Sequence, residues 1–567
     1  MGSDAPMIPS RRLRPNRSEM RIQRISTRIF GALRDSIAPA PRSKIIVLAV
    51  VIIWLLNGVL AGVPTPSASR LTQQERRGKR IYLSGRNVAG QEIRALLGEV
   101  ELPATTTPCA SCHGPDGRGR PEGGLDPGDI TWESLTKPYG HTHISGRTHP
   151  AYTDSLLERA ILDGYDPAQN RLLAAMPKYR LGRDDLADLI SYVKRLAADQ
   201  DPGVTADCIK VGTILPSNGP LAELGQAIKR ALFSYFDEIN QQGGIYNRRI
   251  ELQVLEIPES RAITAAHVKS QLQEQEVFAL VGALIAGAEK ELAVLVENEE
   301  VPLIGPFALD PQVDFPLNRQ VFYILSGLKD QSRAMVDFAA TKILAANHRL
   351  AIVYPENEIA SGTAEAVERQ CQLSGLAFHA KVSYQPGRLD VIKLVQRLIQ
   401  EADVIIFFGS PAEQQTFILE AEKRRWTPQL LLLGSLAGRE VLDAPLSFTN
   451  RIFLAYPTLP SDQTRAGVME YRALQEKHQL PAQHLATQLS ALSAAKILVE
   501  GLKLAGKDLS REKLITSLEG LYEFDTGLTP RVTYGPNRRI GALGAYVVTL
   551  DVDKKRFIPV SAWVTPR

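Results

Sequence analysis

Cysteine is scarce in this chain of 567 residues: Cys109, Cys112, Cys208 and Cys371 are its four, too few to staple a scaffold of that length with disulfides. Net charge is scarce as well. The formal +4 hides a basic tail, because residues 1–44 carry ten Lys/Arg against only Asp4, Glu19 and Asp35. The rest of the chain is therefore near −3, the +4 total less the +7 of the tail. Phosphate neutralisation needs a clustered basic face, and the globular part offers none, which argues against nucleic acid as a partner. The sequence also lacks G-x-G-x-x-G, a P-loop and a nucleophile elbow, so no nucleotide-handling or acyl-transfer enzyme is indicated. No catalytic constellation of another kind replaces them.

What is present divides the chain into unlike parts. Ile45 to Val63, IIVLAVVIIWLLNGVLAGV, holds no formal charge and as a helix would span about 28 Å, one bilayer core. The basic stretch 1–44 before it reads as a cytoplasmic tail, since Lys/Arg-rich flanks resist translocation. Residues 45–63 are thus a transmembrane anchor, or alternatively a signal segment cut after a small residue such as Ala61. Either way the later domains are exported. The anchor reading places the protein in the inner membrane as a single-pass chain with its domains in the periplasm; cleavage would leave it periplasmic.

Residues 70–198 hold two helical patterns, LTQQERRGKRIYLSG and RDDLADLISYVKRLA, with Cys109-Ala110-Ser111-Cys112-His113 between them. C-x-x-C-H is the spacing in which two thiols bond a c-type haem and the adjacent imidazole faces the iron. A zinc site would need a second ligand pair, and a redox dithiol a βαβ setting; neither surrounds this motif. Met176, in LLAAMPKYRL, is the only methionine between Leu71 and Ala197 and is the expected distal ligand. His141, His143 and His149 in GHTHISGRTHP are the alternatives, either on the iron or, as H-x-H, on another metal. The segments GKRIYLSG, CASCHGPDGRGR, MPKYRL and DLADLISYVKRL, in that order, resemble class I c-type cytochromes. That resemblance implies a small all-α fold, one covalently bound haem c held by Cys109 and Cys112, His113 and Met176 as the iron ligands, and one-electron exchange with a partner dehydrogenase or oxidase.

Residues 199–207 read as a short polar linker. From 208 to 567 short apolar runs alternate with amphipathic stretches, as in IKVGTIL then QAIKRALFSYFDEI, or VFALVGAL then EKELAVLVENE. This is the pattern of parallel sheets covered on both faces, and the length calls for two lobes. The stretches VGTILPSNGPLAELGQAIKRALFSYFDEINQQGGIYNRRIELQV and VTYGPNRRIGALGAYVVTL resemble type I periplasmic binding proteins of the branched-chain amino acid receptor group. The resemblance implies a two-lobed α/β fold closing on a small ligand, commonly for delivery to an ABC-type transporter. The whole is read as multidomain: one transmembrane helix, a small all-α cytochrome c domain, and a two-lobed α/β periplasmic-binding-protein-like domain.

Where such receptors carry hydroxyls for a ligand carboxylate, this chain has Ile285, Ala286, Ala288, Phe307, Ala308 and Leu309, and near the expected acidic position it has Leu436. A zwitterion would lose hydration there uncompensated, at several kcal/mol. The expected ligand is therefore less polar than an ordinary amino acid. Ser217, Phe307, Asn357 and Ser410, at strand-end loops, are the expected cleft residues. Cys208 and Cys371, read to fall on different lobes, are expected to remain unpaired, because a bridge would lock a cleft that moves. Two other functions remain from the residues: a solute-binding component with an accessory haem, and a redox scaffold whose cleft has lost its ligand.

Overall fold

The computed structural model describes residues 71–87, 92–119, 127–143, 146–199, 201–257, 265–285, 287–343 and 349–567. The expected tail and membrane segment lie outside the described residues. Among those described, no helix is long and apolar enough to cross a membrane.

The haem-motif unit is organised by the crossing of helices Gln73–Ser84 and Arg183–Val193. Gly78 lets the backbones meet: a Cβ there would stand 1.9 Å from the Asp188 carbonyl oxygen and 2.8 Å from Tyr192 Cβ. Above the crossing, Tyr82 packs on Tyr192 at 5.6 Å between ring centroids, and Ile81, Leu189, Ile190 and Val193 complete the buried stripe. Arg77 clamps Asp188 at its rim with bonds of 2.5 and 2.8 Å. The unit is not all-α as expected. Arg94–Leu97 and Val100–Pro103 form an antiparallel hairpin, and Lys178–Arg180 pairs with its first strand. Gly98, at φ +63°, makes the two-residue turn possible. The strands are four residues each and show no clean alternation, so periodicity could not reveal them.

The larger part has two lobes. In the first, all six strands are parallel, in the order Ile540–Ala542, Val321–Leu325, Leu303–Ile304, Ala279–Val281, Cys208–Pro216, Arg249–Ile257. Inner strands such as Cys208–Pro216, Ala279–Val281 and Val321–Leu325 are near-continuous apolar runs buried on both faces, while the edge strand Arg249–Ile257 is partly exposed. Helix Leu485–Ala505 lies along this core with Leu492, Ile497, Leu498 and Leu502 at or below 1 % exposure. The second lobe runs Phe378–Tyr384, Leu350–Pro355, Val404–Phe407, Gln429–Leu433 and Ile452–Tyr456 in parallel, then adds Tyr546–Asp551 and Arg556–Pro559 antiparallel at one edge.

The chain crosses between lobes after Leu325, after Tyr456 and after Ala542. Buried Ser326 ties two crossings together: its hydroxyl donates to the Ala542 carbonyl at 3.1 Å and accepts from the Gly544 amide at 2.7 Å. Cys208 and Cys371 are both free thiols buried in different lobes.

Candidate functional site

Cys109–His113 forms a single helical turn, opened by Pro108 and closed by Gly114 at φ +75°. One turn with this spacing sends both thiols and the imidazole from one short rigid piece of backbone. His113 Nδ1 lies 3.3 Å from the Gly128 carbonyl. That contact suits an Nδ1–H tautomer and leaves Nε2 as the free lone pair, the arrangement of a metal-ligating histidine. Burial pulls this imidazole below its usual pKa against the opposing pull of that carbonyl, favouring the neutral form that can ligate.

Burial pushes the Cys109 thiol up to about 11, against a hydrogen bond from Tyr179 that lowers it. A thiol that stays protonated at neutral pH is a poor redox nucleophile, which argues against a dithiol-exchange role. Cys109 and Cys112 are both unpaired. The donor set, two free thiols and a neutral imidazole on one turn, fits a covalently held haem.

Met176 is half-buried, with its amide bonded to the Leu173 carbonyl at 2.9 Å. Three residues on, Tyr179 packs against the attachment turn: its hydroxyl donates to the Thr107 carbonyl at 2.5 Å and contacts Cys109. Met176 is thereby tethered within about 10 Å of chain from that contact. Tyr82 closes the other flank, donating to the Gly114 carbonyl at 2.6 Å. Neither tyrosine was picked out by sequence; GKRIYLSG and MPKYRL mark their neighbourhoods but do not say where the hydroxyls go.

In the histidine-rich segment His141 pairs with His149 and Thr142 with Thr148 in two short antiparallel strands. The ring centroids of His141, His143 and His149 lie 4.5 to 6.0 Å apart. His149 bonds the Pro150 carbonyl at 2.8 Å through Nδ1 and meets His143 at 3.1 Å through Nε2, while Arg147 approaches His143 at 2.7 Å. A Cβ at Gly128, whose carbonyl faces His113 Nδ1, would lie 3.5 Å from the His143 ring, so the cluster packs against that same glycine. Among the described residues no group of three His, Cys, Asp or Glu is placed to hold a metal ion.

The expected linker is not a loose tether. Lys79, on the first helix of the haem-motif unit, reaches Asp199 at 2.8 Å, Asp201 at 3.7 Å and Glu300 of the first lobe at 4.0 Å. Tyr192 donates to Asp199 at 2.9 Å, and the Arg511 amide donates to Asp201 at 2.6 Å. The Arg511 guanidinium in turn bonds the carbonyls of Val277, Phe278 and Glu299. Sequence offered no signal for this junction, since a lysine on an amphipathic helix reads as a solvated face.

A cleft of about 470 Å³ opens at the strand ends of the second lobe. Asn357 and Ser410 line it, with Leu309 and Leu436 among its apolar residues. Ser217 and Phe307 are not among its lining. Ser217 is exposed and donates to the Ile257 carbonyl at 3.2 Å, and Phe307 packs on the first-lobe core beside Ala283 and Tyr323. Asn357 and Ser410 also serve their own helices: Asn357 Oδ1 accepts from the Ala360 amide at 2.9 Å, and in a capping box the Ser410 hydroxyl accepts from the Glu413 amide at 3.4 Å while the Ser410 amide donates to the Glu413 carboxylate at 2.7 Å.

Comparison with known proteins agrees with this division. The pattern of the family described as periplasmic binding protein matches residues 208–556, well over half of the chain. This chain belongs to that family. The pattern described as cytochrome c matches residues 104–197, so the same chain carries a cytochrome c module, which implies haem c. A Leu/Ile/Val-binding protein of Rhizobium johnstonii is 24 % identical over 58 % of this chain and 87 % of its own length. A leucine-, isoleucine-, valine-, threonine- and alanine-binding protein of Pseudomonas aeruginosa is 22 % identical over 57 % of this chain and 86 % of its own. Among solved structures, a fatty acid ABC transporter substrate-binding protein from Thermomonospora curvata has a TM-score of 0.51 at 20 % identity, covering 64 % of this chain and 94 % of its own. At this distance it shares the fold alone.

Proposed function

We propose that this chain is a membrane-tethered, mono-haem c-type cytochrome that transfers single electrons in the periplasm and carries a receptor-like module for a small molecule other than an ordinary amino acid. The observation that carries the reading is the attachment turn, with Cys109, Cys112 and His113 on five residues of helix and the His113 Nε2 lone pair left free. Cys109 and Cys112 would hold the haem through their thiols, and His113 and Met176 would hold its iron. Haem would supply a one-electron couple, and a thioether together with an imidazole would raise its potential relative to two imidazoles.

The protein's own residues do the positioning. The Gly128 carbonyl fixes the His113 ring, and Tyr179 and Tyr82 pin the flanks of the attachment turn. With His113 and Met176 both engaged by the group, these residues would leave it no open position for a substrate, and single-electron exchange with a dehydrogenase or oxidase would be the activity. The Ile45–Val63 segment would keep that exchange at the inner membrane surface.

A second reading, a solute-binding component of an uptake system with an accessory haem, is favoured by the extent of the binding-protein match. The test is the visible spectrum of the purified exported region, oxidised and reduced, for wild type and Met176→Ala. A low-spin c-type spectrum whose sulfur-to-iron charge-transfer band is lost in Met176→Ala is expected. A high-spin wild type, or one without that band, would replace Met176 by a histidine or by an open position.

A further inference from the structure

The cleft carries no ionisable side chain among its described lining residues, and this narrows the ligand. Leu309, Leu328, Ile359, Phe408, Pro411 and Leu436 give it apolar walls. Of its polar side chains, three already act on their own helices. The Asn357 carbonyl oxygen and the Ser410 hydroxyl are caps, and Thr363, 1 % exposed, donates to the Ile359 carbonyl at 2.7 Å. Ser435, exposed at the mouth, is the fourth.

Several charges close in sequence to these lining residues already have partners. Glu413 accepts from Ser410 and from Tyr384, and Lys329 is paired with Asp310 at 2.9 Å. The two helices that begin at the wall open with Glu358 and Glu413, which offset their positive ends and disfavour an anion. An ammonium finds no carboxylate on the lining, and a carboxylate finds no cation there.

We infer that the cleft binds an uncharged, largely apolar organic molecule carrying a single hydroxyl or carbonyl, and that it discriminates against zwitterionic amino acids. The inference deepens the proposed function and rests on its reading of the second domain as a working ligand-binding module. The lone polar group of such a ligand would meet Ser435 at the mouth, while its apolar body covers Phe408 and Leu436. A volume of about 470 Å³ is within the range of small-molecule sites.

The test is calorimetric titration of the haem-loaded exported region with benzyl alcohol, 3-methyl-1-butanol and L-leucine, alongside Leu309→Asp. Leu309 is 42 % exposed, so a carboxylate there can be carried without disturbing the core. At least one alcohol is expected to bind at least a hundredfold more tightly than leucine, and Leu309→Asp to weaken that alcohol tenfold or more with an unchanged haem spectrum. Leucine binding as tightly as the alcohols overturns the inference and leaves the ligand-binding reading standing. No heat from any of the three probes at millimolar concentration overturns both. Alcohol binding that Leu309→Asp leaves unchanged moves the site out of this cleft and overturns the assignment.

Discussion

Two regions of the molecule treat charge in opposite ways. At the junction between the haem-motif unit and the first lobe, Lys79, Asp199, Asp201, Glu300 and Arg511 gather in one cluster, with Lys79, Asp199 and Asp201 side chains each below 15 % exposed. Among the described residues, none that lines the cleft is ionisable. Buried ion pairs are poor sources of net stability but fix geometry, because breaking one leaves an uncompensated charge. The junction therefore suits two bodies that must keep one register. A cleft that opens and closes gains by the reverse, since apolar contacts can be made and broken without stranding a charge.

The largest effect should come from the helix crossing that carries Lys79 to the junction. Gly78→Ala would drive a methyl to 1.9 Å from the Asp188 carbonyl, which neither backbone can yield without separating the helices. A loss of about 4 kcal/mol is expected in the haem-motif unit. In chemical unfolding, that unit would melt first while the two lobes keep their own transition. A single unshifted transition would show that the crossing is looser than the packing implies.

Lys79→Met comes next. It strands Asp199, Asp201 and Glu300 without their shared cation, at a cost of about 3 to 5 kcal/mol. Burial works against the Lys79 ammonium, but Asp201, Asp199 and Glu300 outweigh it and hold its pKa well above the ordinary 10.5. Because the folded value is raised, this contribution is complete below about pH 10.5 and is lost only as the pH rises through the folded value. Glu300 behaves differently: burial lifts its carboxyl above the usual 4.5, against the pull of Lys79 and Arg511. Its ionisation is a burden at neutral pH, and mild acid relieves it. Wild-type stability should thus hold from neutral pH to about pH 10 and gain slightly on acidification toward pH 5, whereas Lys79→Met, without the lysine's pull on Glu300, should gain more, as read from unfolding midpoints. Equal pH profiles for the two proteins would remove Lys79 from the junction's electrostatics.

How legible each region was follows from the same physics. The cytochrome c module was plain, because C-x-x-C-H is a motif written in contiguous residues. The two lobes were plain because apolar runs such as Cys208–Pro216 and Gln429–Leu433 are buried on both faces and state their burial directly. The hairpin at Arg94–Pro103 was hidden by its shortness. The junction was hidden because its charges meet only in three dimensions, Lys79 lying more than two hundred residues from Glu300 and four hundred from Arg511. The cleft was half legible. The absence of an acid near Leu436 could be read, but whether Asn357 and Ser410 face a ligand or a helix could not, since both are also excellent N-caps.

That ambiguity gives the smallest and sharpest effect. Asn357 caps the helix Glu358–Leu373 through the Ala360 amide, so Asn357→Ala should cost about 1 kcal/mol of stability in the second lobe. If capping is its whole role, affinity for a neutral alcohol should change less than twofold, because the lost bond lies within the helix terminus. A cap that also held the ligand would lose affinity tenfold or more for a similar change in melting temperature. The ratio of the two effects, measured on one variant by thermal unfolding and calorimetry, therefore separates a cleft whose polar groups serve the fold from one whose polar groups serve the ligand.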